Sequence, residues 1–197
     1  MTTKSTLTRT ISGREVPAPG QYQIDPSHSS LQIIARHLMI SKVRGHFTAF
    51  TGSITIADEP TESRVEVIVQ ASSVDTGDPQ RDEHLRSADF LDVEHHPEIR
   101  FRSTQVRPER NEKWAVSGDL TIRDVTREIV LEVEYGGAMT DPWNNVRIAL
   151  LATGEVNRED FDITWNQALE TGGFLVGKSL RLECDIEAVR ETDPLDD

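Results

Sequence analysis

The sequence is short of the residues that most often announce a chemistry. One cysteine, Cys184, stands among 197 residues, which excludes an internal disulfide framework and a cysteine-rich zinc or iron–sulfur site. Aromatic side chains make up 6 %, and no stretch approaches the roughly 18 apolar residues of a membrane-crossing helix. Positive charge is in deficit: 34 acidic side chains face 21 basic ones, for a formal net charge of -13. Such a surface repels nucleic-acid phosphates and anionic lipid heads alike. No nucleic-acid partner and no stable membrane insertion are therefore expected. Apolar residues at 36 % are lean, yet sufficient for one globular domain of this length.

Familiar catalytic signatures are missing too. There is no Gly-x-Ser-x-Gly elbow, no P-loop and no Gly-x-Gly-x-x-Gly turn. Residues 1–10 lack the apolar run of a secretory signal, so a cytoplasmic location is expected. Residues 1–20 are rich in Ser, Thr, Pro and Gly and read as a flexible arm. Residues 191–197 read as a frayed acidic tail, leaving 21–190 as the folded unit. Charge is uneven along the chain. Residues 1–56 carry six Lys or Arg against two acids, so the excess of acid lies entirely beyond them.

What is present is period-two alternation. Val65, Val67, Val69 and Ala71 alternate with Arg64, Glu66 and Gln70, with Ile68 the exception. Ile129, Leu131, Val133 and Tyr135 alternate with Glu128, Glu132 and Glu134. Leu180, Leu182, Cys184 and Ile186 alternate with Arg181, Glu183, Asp185 and Glu187. A strand turns successive side chains to opposite faces, so each segment has one apolar and one wet face, as antiparallel sheets do. Eight strands are expected at about 22–36, 46–57, 64–71, 99–107, 112–122, 127–136, 146–156 and 179–189. Closing eight strands into a barrel removes exposed edges and leaves an interior for packed side chains or one small ligand. A two-sheet sandwich uses the same pattern.

Two interruptions stand out. Residues 78–91 read as a short helix with Asp78 as its cap and Pro79 in its first turn, Leu85 and Ala88 sharing its buried face. Residues 166–177 form a glycine-rich connection whose Phe174, Leu175 and Val176 could cover the same barrel mouth. Residues 38–45 read as an awkward connection crossing that mouth, with Lys42 and Arg44 offering charge to an anionic head.

The six histidines give no clear metal site. His95 and His96 are adjacent, so their rings diverge in an extended chain and chelate poorly. His28 either pins a loop to the barrel rim or touches a ligand head. Ser27, His28 and Ser29 are neighbours, but adjacency supplies no attack geometry. Cys184 reads as a buried, unactivated thiol. Asp160 and Asp162 could form a carboxylate pair, although nothing in the sequence sets their separation.

Several ordered motifs together resemble the YceI-like family of bacterial lipid-binding proteins. They are Tyr22-Gln23-Ile24-Asp25-Pro26-Ser27-His28-Ser29, Arg36-His37, Val43-Arg44-Gly45-His46-Phe47, the run from Arg81 to Val93, Pro97-Glu98-Ile99-Arg100-Phe101, Gly118 to Thr126, and Val156-Asn157-Arg158-Glu159-Asp160-Phe161. The resemblance implies an all-β, eight-stranded antiparallel lipocalin-like barrel holding a polyisoprenoid chain, such as an isoprenoid diphosphate or an isoprenoid quinone. It implies no required cofactor and no catalysis. Two positions depart from the family pattern, Asp124 and Asp162, each standing where relatives usually or often have Gly. An Asp162 facing the mouth would disfavour a diphosphate head.

On this reading the ligand-facing set is Leu31, Ile33, Val67, Val69, Leu131, Val133, Ile148, Leu150 and Trp165. The head-group or rim set is His28, His37, Lys42, Arg44, His84 and Arg158. A one-residue error in strand parity would exchange the apolar faces. A homodimer stays open. So do two other readings: an enzyme on a small hydrophobic substrate, using His28, His84 or the Asp160/Asp162 region, and an interaction module with a filled core.

Overall fold

The computed structural model describes residues 7–170 and 172–191. Its strands in chain order are β1 (Thr8–Ile11), β2 (Arg14–Pro17), β3 (Gly20–Ile24), β4 (Ser30–His37), β5 (Ser41–Phe47), β6 (Phe50–Ile56), β7 (Arg64–Gln70), β8 (Val74–Asp75), β9 (Glu98–Pro108), β10 (Trp114–Ile122), β11 (Val125–Thr140), β12 (Val146–Asn157) and β13 (Val176–Arg190). One α-helix, α1 (Pro79–Arg86), lies between β8 and β9. Strands β3, β6, β7, β9, β10, β11, β12 and β13 pair in that order, and β13 closes back on β3. The result is an eight-stranded antiparallel closed barrel.

Two of the expected strands are longer and more interrupted than their sequences suggest. The segment expected as one strand over 22–36 is β3 and β4, both paired to β13, with residues 25–29 between them. Pro26 offers no N–H to a ladder, and the Asp25 carboxylate accepts from the backbone N–H of Ser27 at 3.0 Å, turning the chain locally. The segment expected to begin near 46 begins instead at Ser41. β5 pairs with β4 from Leu31↔Phe47 to His37↔Ser41. Residues 41–45 are thus a strand extending the barrel wall, not a connection across its mouth. The reversal is confined to residues 38–40, where Leu38 and Met39 take positive φ.

Because the strands alternate in direction, loops gather at two ends. One end carries the β6–β7, β9–β10 and β11–β12 connections. Across it lies the β1–β2 hairpin, paired Thr8↔Pro17 to Ile11↔Arg14. These residues were expected in a flexible arm. Two apolar side chains and a few polar contacts hold them instead: Val16 is 2 % exposed and clusters with Val106, Trp114 and Val116, with Ile11 against them. The Tyr22 hydroxyl donates to the Ala18 carbonyl at 2.8 Å, and the Arg14 guanidinium lies 5.8 Å from the Trp114 ring centre. Residues 1–6 and most of the expected acidic tail, 192–197, lie outside the described residues.

The other end is plugged by α1 and the turns after it. Asp78 caps the helix, accepting from the N–H groups of Gln80 at 3.1 Å and Arg81 at 3.2 Å. Buried Asp82 accepts from the Thr76 N–H at 2.9 Å, and Arg86 donates to the Ser72 and Val74 carbonyls. The helix stops at Arg86, so Ala88 falls in a turn and is exposed, and Phe90 takes the buried place. Phe90, Val69, Ala71, Ile99 and Phe161 belong to one core cluster beneath this plug.

Candidate functional site: an apolar barrel cavity

The barrel encloses a cavity of about 250 Å³. Its lining runs from Val16, Trp114 and Val133 at the hairpin end to Phe47, Leu120, Ile122 and Val156 toward the helix end. β10 alone contributes Trp114, Val116, Leu120 and Ile122, which spans roughly 26 Å of strand at about 3.3 Å per residue. Seven of the nine expected ligand-facing residues line it: Leu31, Ile33, Val67, Val69, Leu131, Val133 and Leu150. The pleat explains this placement, since each alternates with an outward neighbour on its strand.

Two members of that set sit elsewhere. Ile148 has the right parity, but it lies opposite Ala188 in the packed core and is 1 % exposed. Trp165 packs edge-on to His84, with ring centres 4.6 Å apart, and tilts against Phe90 at 5.2 Å. It belongs to the plug.

No charged side chain is among the lining residues, which number Gln32, Ser63, Trp114, Tyr135 and Cys184 as those with a polar side-chain atom. Burial pushes the Cys184 thiol up to about 12, helped by the charge of Asp185, so it is held neutral. Burial also raises the Tyr135 phenol, with Glu15 and Tyr22 adding to it. The Tyr135 hydroxyl is buried and has no hydrogen-bond partner among the described residues. Tyr135 thus lines the cavity with its ring, and its hydroxyl is a buried neutral donor with nothing to donate to among the described residues. Its parity with Leu131 and Val133 was visible in the sequence; its missing partner was not.

The residues expected at a head group do not converge. His28 is exposed, on the outer wall, where Arg147 and Glu187 alternate with inward Ile148 and Ile186. There Arg147 donates to Asp25 at 2.8 Å, Asp141 at 2.9 Å and Glu187 at 2.6 Å. His28 Nδ1 lies 2.8 Å from Asp25 and 3.0 Å from Ser27 Oγ. Both contacts fall on one ring nitrogen, whereas a serine–histidine–aspartate triad needs the serine and the acid on opposite nitrogens. Asp25, His28 and Glu187 come close enough to share a cation, but the Arg147 guanidinium already fills that position.

Lys42 and Arg44 are exposed on β5, and His37 ends β4 with its carbonyl accepting from the Ser41 hydroxyl. His84 sits on α1, 2.8 Å from Asp89. Arg158 is 2 % exposed and pins the long connection before β13, donating to the carbonyls of Ile163 at 2.6 Å, Trp165 at 2.8 Å and Gly177 at 3.1 Å. Asp160 and Asp162 are exposed, and Asp162 takes the left-handed φ of 57° that a glycine would adopt freely. In the β10–β11 turn the left-handed residue is Arg123, not Asp124.

An antiparallel eight-stranded barrel around an apolar, plugged cavity defines a lipocalin-like binding fold. The YceI-like domain model matches residues 22–188, and the chain belongs to that family. A UPF0312 protein of Staphylococcus aureus is 36 % identical over 169 residues, covering 84 % of this chain and 95 % of its own. Among solved structures, a YCEI protein of Campylobacter jejuni is 28 % identical with a TM-score of 0.68, over 80 % of this chain and 90 % of that one. A polyisoprenoid binding domain from Saccharophagus degradans shares the fold, with a TM-score of 0.62 at 12 % identity over 88 % of this chain and 100 % of its own.

Proposed function

We propose that this protein binds a long-chain isoprenoid lipid in its barrel cavity, storing or carrying it without chemical change. The observation that carries the reading is the cavity itself: elongated, walled by aliphatic and aromatic side chains, and with no charge on its lining. Burying about 300 Å² of hydrocarbon at roughly 25 cal/mol per Å² gives about 7 kcal/mol before association costs. A narrow space that follows the length of β10 suits one flexible chain better than a broad fused ring system. The polyisoprenoid-binding domain of Saccharophagus degradans supports the same ligand class through its shared fold. Between the two head groups considered, the uncharged lining and the unpartnered Tyr135 hydroxyl favour a neutral oxygen acceptor, as in a quinone, over a phosphate.

Native mass spectrometry of the purified protein, followed by lipid extraction, tests this directly. The expected result is a bound species whose mass falls in steps of isoprene units and which extracts into organic solvent. Protein that stays unliganded after incubation with an isoprenoid quinone and with a polyprenyl phosphate would overturn the reading.

A further inference from the structure

The barrel end that carries α1 also carries an apolar tip that nothing among the described residues covers. Met39 is 62 % exposed, Ile40 81 %, Leu38 36 % and Phe174 48 %. They come from two adjacent loops. The Leu38 N–H donates to the Leu175 carbonyl at 2.9 Å, which docks the 38–40 turn against the 166–176 connection. The two ends of that connection are tied together, with Asn166 bonded to both the N–H and the carbonyl of Val176. The apolar side chains are thus held outward on a braced projection.

Around the tip the charge reverses. Between residues 30 and 57 there is no Asp or Glu, in a chain with a net charge of -13. Arg36, Lys42 and Arg44 lie in that span, all exposed, on β4 and β5 just below Met39 and Ile40. None of the three forms an ion pair among the described residues. Lys178 on β13 is paired with Glu159 at 2.9 Å, and Glu170 is the exposed acid in the neighbouring connection.

We propose that this tip docks the protein on the surface of a bilayer rich in anionic lipid. The apolar residues enter the boundary between head groups and acyl chains, and Arg36, Lys42 and Arg44 meet the phosphates around them. Apolar side chains on one face with unpaired basic residues beside them are the physical signature of an interfacial anchor. A convex tip with a collar of one sign suits a fluid anionic surface better than a protein partner, which needs a complementary, extended patch. The negative remainder of the molecule points the same end at the membrane, since it is repelled by the charge that attracts the collar. The proposal stands apart from the identity of the cavity's ligand.

The test is sedimentation of the full chain with vesicles free of isoprenoids, either pure phosphatidylcholine or phosphatidylcholine with one third phosphatidylglycerol. Binding to the anionic vesicles is expected to exceed binding to neutral ones by at least tenfold and to weaken as salt rises. Met39→Ser with Ile40→Ser should cut it at least tenfold, with unchanged melting temperature and unchanged lipid uptake into the cavity. Lys42→Gln with Arg44→Gln should remove most of the preference for anionic vesicles. Failure to bind anionic vesicles, or binding that both double variants leave intact, would overturn the proposal. Self-association lost in Met39→Ser/Ile40→Ser without any vesicle binding would assign the tip to a protein contact and overturn it equally.

Discussion

Arg147 Nη1 lies 2.8 Å from Asp25 Oδ2, joining residues 122 apart in the chain. The same guanidinium reaches Asp141 and Glu187, so one cation ties the β3–β4 break to the β11–β12 turn and to β13. Hydrogen bonds from Ser27, Arg147 and His28 hold the Asp25 carboxyl well below its usual range against a smaller opposing effect of burial. Replacing Arg147 with Met leaves three carboxylates facing one another. We expect a fall of several degrees in melting temperature, measured by circular dichroism, with Arg147→Lys restoring only part of it, because an ammonium cannot fork to three acceptors.

Acid should weaken the same corner. For Asp141, burial pushes the pKa up, but hydrogen bonds from Arg147, Asn145 and Trp143 outweigh it and bring it to about 2. A carboxylate depressed in the folded state contributes stability above its unfolded value, 3.8, and that contribution is lost as pH falls through the folded value. Urea midpoints should therefore drop between pH 4 and pH 2. The drop should be smaller in Arg147→Met, whose carboxylates have less depression to lose. An equal drop in both proteins would remove Arg147 from the explanation.

The β1–β2 hairpin closes one end of the barrel through Val16, which touches both the small cluster around Trp114 and the cavity. Val16→Ala removes two carbons from a site 2 % exposed. Transfer and cavity terms together give a loss of about 2 kcal/mol, or roughly 4–8 °C in a chain this size. Trp114 emission should shift to the red as its cover loosens. A detached arm would leave both readings unchanged.

The legibility of this chain follows the strength of each local signal. The pleat imposes strict alternation, so Val67, Val69, Leu131 and Val133 could be turned inward from sequence alone. Ile148 shared that signal and failed as a lining residue, because parity names a face and not a height along the barrel. The β3–β4 break falls in the polar run Asp25-Pro26-Ser27-His28-Ser29, short enough between apolar Ile24 and Leu31 to read as part of one strand. The hairpin was missed because Ile11 and Val16 are too few to mark a buried segment without their partner Trp114, nearly a hundred residues on. Charged candidates fared worst. Lys42, Arg44, His28 and His84 carry no periodic signature of which wall, end or plug receives them, and the structure sends them to three separate places.

Tyr135→Phe separates a ligand-binding role from a structural one by sign. A buried hydroxyl without a partner costs stability, so removing it while keeping the ring should leave the unliganded protein as stable or more stable, by about 1 kcal/mol. Affinity for an isoprenoid quinone should move the other way. The lost hydrogen bond is worth about 0.5–1.5 kcal/mol, a weakening of roughly 2–13-fold. Squalene, which has the chain and no oxygen, should bind both proteins alike. Isothermal calorimetry with the two lipids, beside a urea titration of each protein, supplies all the comparisons. Equal quinone affinity in the two proteins would leave the hydroxyl without a part in head-group selection, and a loss of stability in the unliganded variant would make it a structural group.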